Sequence, residues 1–346
     1  MMGTTQRVAA LGAVLFCGGI LAAVAQTAPQ AASPYDEGKA AFKSGEYAKA
    51  AELFANAASS DSVNSDALLL EGKSLANIGK FSEADGALRR YTLLHPESAD
   101  AFFMLGFVLH REDKPADSLR AYTQAAALNT PKAEDLRIVG LDYVLLDDYP
   151  DAIRWLKKAT EFDPQNEQAW YSLGRCYYTQ SRFEEAGIAL NRALSLNPKD
   201  LKATTNLALV YEMQNRNEDA DRTYRSSILL ADSDVHTNEW PYLNYSSFLL
   251  EHDRAAEALP LLRRAAMLAP RCADCHAKMG KALAATGERQ GAVAELSEAV
   301  ALSPDDPKLH YTLGHLYRSL GMLDKAKAEL ALSEKLYGTR DSVNAK

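Results

Sequence analysis

Seven glycines of this chain stand on a 34-residue grid. Gly38, Gly72, Gly106, Gly140 and Gly174 follow one another at that interval, and Gly280 and Gly314 repeat it. With 19 glycines in 346 residues, nine equivalent slots hold about half a glycine by chance, so the spacing reflects a repeated structural unit. From Gly174 to Gly280 is three periods plus four residues, which leaves two units with Ala208 and Ser246 in the slot and a four-residue insertion near Val235 to Asn238. The grid yields nine units, 31–64, 65–98, 99–132, 133–166, 167–200, 201–234, 239–272, 273–306 and 307–340, and a tail over 341–346.

Two further slots keep the same register. Twelve residues after the glycine slot every unit has a small residue, Ser118 in the third and alanine in the others, from Ala50 to Ala326. Four residues later every unit has a large one, such as Phe54, Leu88, Tyr122, Leu190 or Leu330, and Pro96, Pro164, Pro198, Pro270 and Pro304 close five units. Val and Ile together number only 18, whereas Ala and Leu dominate every stretch, so helix formers far outweigh strand formers. Glycine inside a helix costs about 1 kcal/mol relative to alanine, so its recurrence implies close approach of a second helix, with the small slot expected across the contact. The large slot is expected to fill the space between hairpins, and proline to end the second helix. One helical hairpin cannot bury its own apolar face, so the units must stack into an all-α solenoid.

This pattern resembles the tetratricopeptide repeat family, whose 34-residue signature reads W-x2-L-G-x2-Y, then A-x3-F, then P. Unit 167–200 carries it most fully, with Trp170, Leu173, Gly174, Tyr177, Ala186, Leu190 and Pro198. It is weakest in 201–234, which lacks the glycine and has Asp232 in the proline slot, and in 307–340, which has Gly338 there. The resemblance implies a right-handed superhelix of about nine helix-turn-helix units whose first helices line a concave groove for peptides or partner proteins. The final helix is expected to cap the stack itself through Lys325, Lys327, Glu329, Glu334 and Lys335.

The amino-terminal stretch falls outside the grid. Arg7 precedes an uncharged run from Val8 to Val24, and Ala23-Val24-Ala25 suits cleavage before Gln26, so 1–25 reads as a secretory signal and 26–33 as a flexible lead-in before Pro34. An uncleaved anchor is the alternative, and a lipid-bearing Cys17 a lesser one because bulky Phe16 precedes it. The product is expected outside the cytoplasm, periplasmic or secreted, with no membrane span after cleavage. A net charge of −8 removes the positive field that nucleic-acid binders use.

Signatures for cradled phosphate, zinc proteolysis, serine hydrolysis and dinucleotide binding are missing, and the seven histidines are scattered. A non-enzymatic scaffold without a cofactor, binding a protein or peptide, is the expectation. On the family geometry, Phe103, Phe107, Leu141, Tyr171 and Tyr178 make an apolar, aromatic patch in units three to five. Arg175, Asn206, Asn244, Lys278 and Lys281 make a polar, cationic run in units five to eight, with amides for a peptide backbone and cations for a carboxylate. The alternatives are packing between neighbouring first helices for the patch and a solvated face for the run.

Cys272-Ala-Asp-Cys275-His276 is C-x2-C-H, the attachment sequence of c-type haem, met about once in a thousand chains of this composition by chance. One reading attaches haem c to Cys272 and Cys275 with His276 as axial ligand, giving an electron-transfer or redox-sensing protein. Another is a local disulfide, and regular spacing on both sides, which leaves no segment to build a haem cleft, favours it. A zinc site has too few ligands. Cys176 then remains the one unpaired thiol of the mature chain.

Overall fold

The structure, a computed structural model, describes residues 33–60 and 65–344. The expected signal over 1–25 and the lead-in up to residue 32 lie outside the described residues, as do 61–64 and 345–346. Among the described residues there are eighteen helices and no strand. They pair as α1 (Pro34–Lys43) with α2 (Tyr47–Ser60), α3 (Asp66–Asn77) with α4 (Phe81–Leu94), and α5 (Ala99–Arg111) with α6 (Pro115–Leu128). Next come α7 (Ala133–Leu145) with α8 (Tyr149–Phe162), α9 (Glu167–Thr179) with α10 (Phe183–Leu196), and α11 (Leu201–Met213) with α12 (Asn217–Ser233). The last three hairpins are α13 (Trp240–Glu251) with α14 (Ala255–Leu268), α15 (Ala273–Ala285) with α16 (Arg289–Leu302), and α17 (Pro307–Ser319) with α18 (Leu323–Asn344). The last helix continues beyond residue 340 into the stretch read as a tail.

The glycine slot lies where two helices of one hairpin cross, but its partner differs from the expected one. A β-carbon at Gly72, Gly106, Gly140, Gly174 or Gly280 would stand 2.6–2.7 Å from Leu88, Tyr122, Leu156, Leu190 or Leu296, the large residue of the same unit. The large slot therefore fills the space over the glycine, inside the hairpin. The small slot lies beside it, and only backbone enters the contact, the carbonyls of Ala152 and Ala292 standing 3.3 and 3.1 Å from such a β-carbon at Gly140 and Gly280. Both slots sit on the inner stripe of the second helix one turn apart, which is why spacing alone did not separate them.

Each hairpin turn is also built alike. The fifteenth residue of every unit, Gly45, Gly79, Asp113, Asp147, Ser181, Asn215, Asp253, Gly287 and Gly321, has positive φ, between 55° and 90°. The next residue's N–H reaches back five positions to end the helix, as from Arg182 to the Tyr177 carbonyl at 2.9 Å.

At three of the joints between hairpins the clasp is a ring nitrogen. Trp170 Nε1 donates to the Pro164 carbonyl at 3.1 Å, and His276 Nε2 and His310 Nε2 meet the Pro270 and Pro304 carbonyls at 3.1 and 2.8 Å, six residues back each time. The first helices of successive hairpins touch from α3 to α15, whereas successive second helices make no comparable contact, so the stack curves with first helices inside. At the carboxyl end Glu329 does not serve the outer face as expected: its carboxylate turns in to His310 Nδ1 at 2.6 Å. Lys325, Lys327, Glu334 and Lys335 stay exposed, interspersed with exposed Leu323, Leu332 and Tyr337.

Candidate functional site

The inner face is made of residues that first helices turn away from their own second helices. On α5, Phe103 and Phe107 are half-buried. Phe103 packs on the Tyr122 ring with centroids 6.1 Å apart, and Phe107 meets Phe81 edge-on at 6.4 Å, with the Arg111 guanidinium 4.5 Å above Phe81. These two rings tie units two, three and four together, so much of their surface is spent on packing. Leu141 on α7 is half-buried as well.

Three of the singled-out residues meet across α9 and α11. The Arg175 guanidinium lies 6.0 Å from the centre of the Tyr171 ring, and Asn206 Nδ2 lies 3.5 Å from Tyr171 Oη and 2.8 Å from the Lys202 carbonyl. Tyr171 is half-buried and Arg175 exposed. Burial pushes the Tyr171 phenol above its ordinary value, with the Arg175 charge opposing, so it stays a neutral donor at physiological pH. Tyr178, one turn beyond Arg175, is half-buried and edge-on to Phe183 at 5.7 Å. The rest of the run is dispersed: Asn244 is half-buried on α13, Lys278 is held toward Asp274 at 3.6 Å, and Lys281 is exposed on α15.

One buried polar pair was not singled out from sequence. His110 Nδ1 lies 2.7 Å from Asp142 Oδ1, joining α5 to α7, with Asp142 fully buried and its Oδ2 unbonded. The signal was readable, because the slot of Asp142 holds Ala40, Ser74, Val108, Cys176, Val210, Phe248, Ala282 and Leu316 in the other units. A carboxylate is out of place among them.

At the C-x2-C-H segment, Cys272 and Cys275 are disulfide-bonded, with Cα atoms 5.3 Å apart. Both ring nitrogens of His276 are committed, Nδ1 to Glu295 Oε2 at 2.7 Å and Nε2 to the Pro270 carbonyl at 3.1 Å. Haem attachment here would require opening the disulfide and freeing one of those nitrogens. Cys176 is a buried free thiol whose pKa burial pushes up to about 11. No described helix is long and apolar enough to cross a membrane, and the described residues hold no cluster of metal-ligating side chains.

Stacked hairpins whose first helices line the inner face define a helical-repeat scaffold. Family models described as the cilia and flagella-associated protein 70 C-terminal domain, TPR repeat and tetratricopeptide repeat match residues 38–199, 280–321 and 307–338. The chain belongs to the tetratricopeptide repeat family. Among solved structures, a tetratricopeptide repeat protein from Parabacteroides merdae superposes with a TM-score of 0.56 at 17% identity, over 78% of this chain and 98% of that one. The Cut9–Hcn1 hetero-tetramer of APC/C gives 0.54 at 16% identity over 83% of this chain and 56% of that one. Pseudomonas aeruginosa pilF gives 0.51 at 20% identity, over 61% and 94%. No curated protein sequence matches the chain.

Proposed function

We propose that this solenoid is an exported scaffold that holds an extended segment of a protein partner along its inner face. The observation that carries the reading is the Tyr171–Arg175–Asn206 group, where an exposed cation, a neutral phenol and an amide stand together on two neighbouring first helices. Such a set bonds a peptide backbone through the amide and phenol and an acidic side chain or terminus through the guanidinium. Lys281, exposed three units from Arg175 in the same slot, extends the positive side of the face. The segment 1–25, read as a secretory signal, supports an encounter outside the cytoplasm.

The test begins with peptides selected from a random display library on the wild-type protein. Their affinity for a variant carrying Arg175→Glu and Lys281→Glu is expected to fall at least about tenfold, because both side chains are exposed and both substitutions reverse charge. Unchanged affinity with unchanged helical circular dichroism would move the binding surface off this face. A reporter enzyme fused after residue 40 and recovered only in the cytoplasm would overturn the export reading.

A further inference from the structure

The two cysteines occupy slots that other units fill with different chemistry. Cys272 is the last residue of its unit, the place from which Asn166, Asp200 and Asp306 cap the helix that follows. Asp200 Oδ1 accepts the Lys202 and Ala203 N–H groups at 2.7 and 3.0 Å, and Asp306 Oδ1 accepts that of Lys308 at 2.9 Å. Cys272 caps α15 in the same manner, its Sγ accepting the Cys275 N–H at 3.1 Å. A neutral thiol is a weak acceptor, whereas a thiolate brings to the cap the charge that Asp200 and Asp306 bring to theirs. The reduced pair is thus favoured with Cys272 ionised.

Cys275 sits in the third slot, where Ala67, Ala101, Ala169 and Ala203 are all fully buried, and it is fully buried too. The pair is therefore asymmetric, with Cys272 partly exposed at the turn and Cys275 sealed beneath it. The charged groups around the turn are Arg271, exposed and adjacent to Cys272, His276, held by Glu295, and Asp274, drawn toward Lys278.

We propose that Cys272–Cys275 is a thiol–disulfide exchange site that oxidises dithiol substrates, with Cys272 as the sulfur that meets the substrate. A substrate thiolate attacks Cys272 Sγ, the bond to Cys275 breaks, and Cys275 leaves as a thiolate that takes up a proton. The second substrate thiolate then attacks the substrate sulfur of the mixed disulfide, and Cys272 leaves as a thiolate onto the helix N-terminus. Two electrons pass from the substrate dithiol to the chain; of its two protons, one resides on Cys275 and one goes to solvent. A small disulfide such as oxidised glutathione restores the oxidised pair by the same exchange in reverse. Stabilising the reduced form is what makes such a disulfide an oxidant.

The experiment uses the full chain with Cys17→Ser and Cys176→Ala, so that only the pair reports. Alkylation of the reduced protein against pH is expected to have its half-point at least about one unit below the ordinary cysteine value of about 8.5. The oxidised protein is expected to oxidise a short peptide bearing two thiols at least about tenfold faster than oxidised glutathione at equal concentration. Adding Cys275→Ala, which installs the residue four other units carry in that slot, is expected to trap a one-to-one mixed disulfide at Cys272 when the protein meets the oxidised peptide. Circular dichroism verifies that this variant folds. A half-point at 8.5 or above, or a rate no better than that of glutathione, overturns the proposal and leaves the pair as a staple of the turn between α14 and α15.

Discussion

A β-carbon at Gly174 would stand 2.7 Å from Leu190 Cγ and 3.3 Å from the Leu190 backbone nitrogen, so nothing larger than hydrogen fits without movement. Gly174→Leu is expected to destabilise by about 1–3 kcal/mol through overpacking, seen as a lower urea midpoint. Ser181 presents the opposite case. It holds φ at 56° in a slot where other units have Gly45, Gly79, Gly287 and Gly321, so Ser181→Gly is expected to gain about 0.5–1 kcal/mol by removing left-handed strain. A midpoint unmoved or lowered would refute that strain. The glycine slot was legible because glycine is rare in helices and its recurrence is easy to count. The turn slot was hidden because glycine, aspartate, asparagine and serine share a backbone tolerance and little else, and the pattern emerges only when φ is compared.

Helix ends show how one position can serve packing and charge together. Both ring nitrogens of His310 face acceptors, Glu329 Oε2 at 2.6 Å and the Pro304 carbonyl at 2.8 Å, so the protonated ring satisfies both. Burial works to lower its pKa, but the bond to Glu329, the Pro304 carbonyl and the charges of Glu329 and Asp306 outweigh it and hold the pKa above 6.5. The same balance raises His276, with Glu295 and Pro270 in the corresponding places. A folded-state pKa above the unfolded value contributes stability that is fully present below about 6.5 and lost as pH rises through the folded value. Melting temperature is therefore expected to fall from pH 6.5 upward, and His310→Gln to flatten that fall; identical slopes in both proteins would remove His310 from the account. From sequence, the slot shared by Trp170, His276 and His310 was visible, but its ring-to-carbonyl bond was not, since it depends on where the preceding proline lies. That is why His276 could be weighed as a haem ligand.

Across the whole molecule, stability is a sum over neighbouring hairpins, and among the described joints the one carrying the insertion is the most open to attack. The connection from α12 to α13 contains Val235, 91% exposed, while the Tyr242 hydroxyl donates to Asp232 at 2.6 Å across its base. A broad-specificity protease under native conditions is expected to cut first between residues 234 and 239, leaving two helical fragments, because each side keeps its own stacked hairpins. First cleavage inside any hairpin would contradict the nearest-neighbour view. The inner face was the least legible feature. Whether Phe103 or Tyr171 faces a partner or a neighbour is decided by the adjoining unit, and no single repeat contains that information.

The ring clasps of Trp170, His276 and His310 all reach back to a proline carbonyl that precedes them in the chain. These three proline bonds need no residue from a later unit, and the Glu295 and Glu329 bonds of the two histidines and the glycine crossing are completed within their own units. A chain emerging amino end first can thus lock a new hairpin onto a finished one at these joints, so assembly acquires a direction and the growing end stays open to the next unit during synthesis.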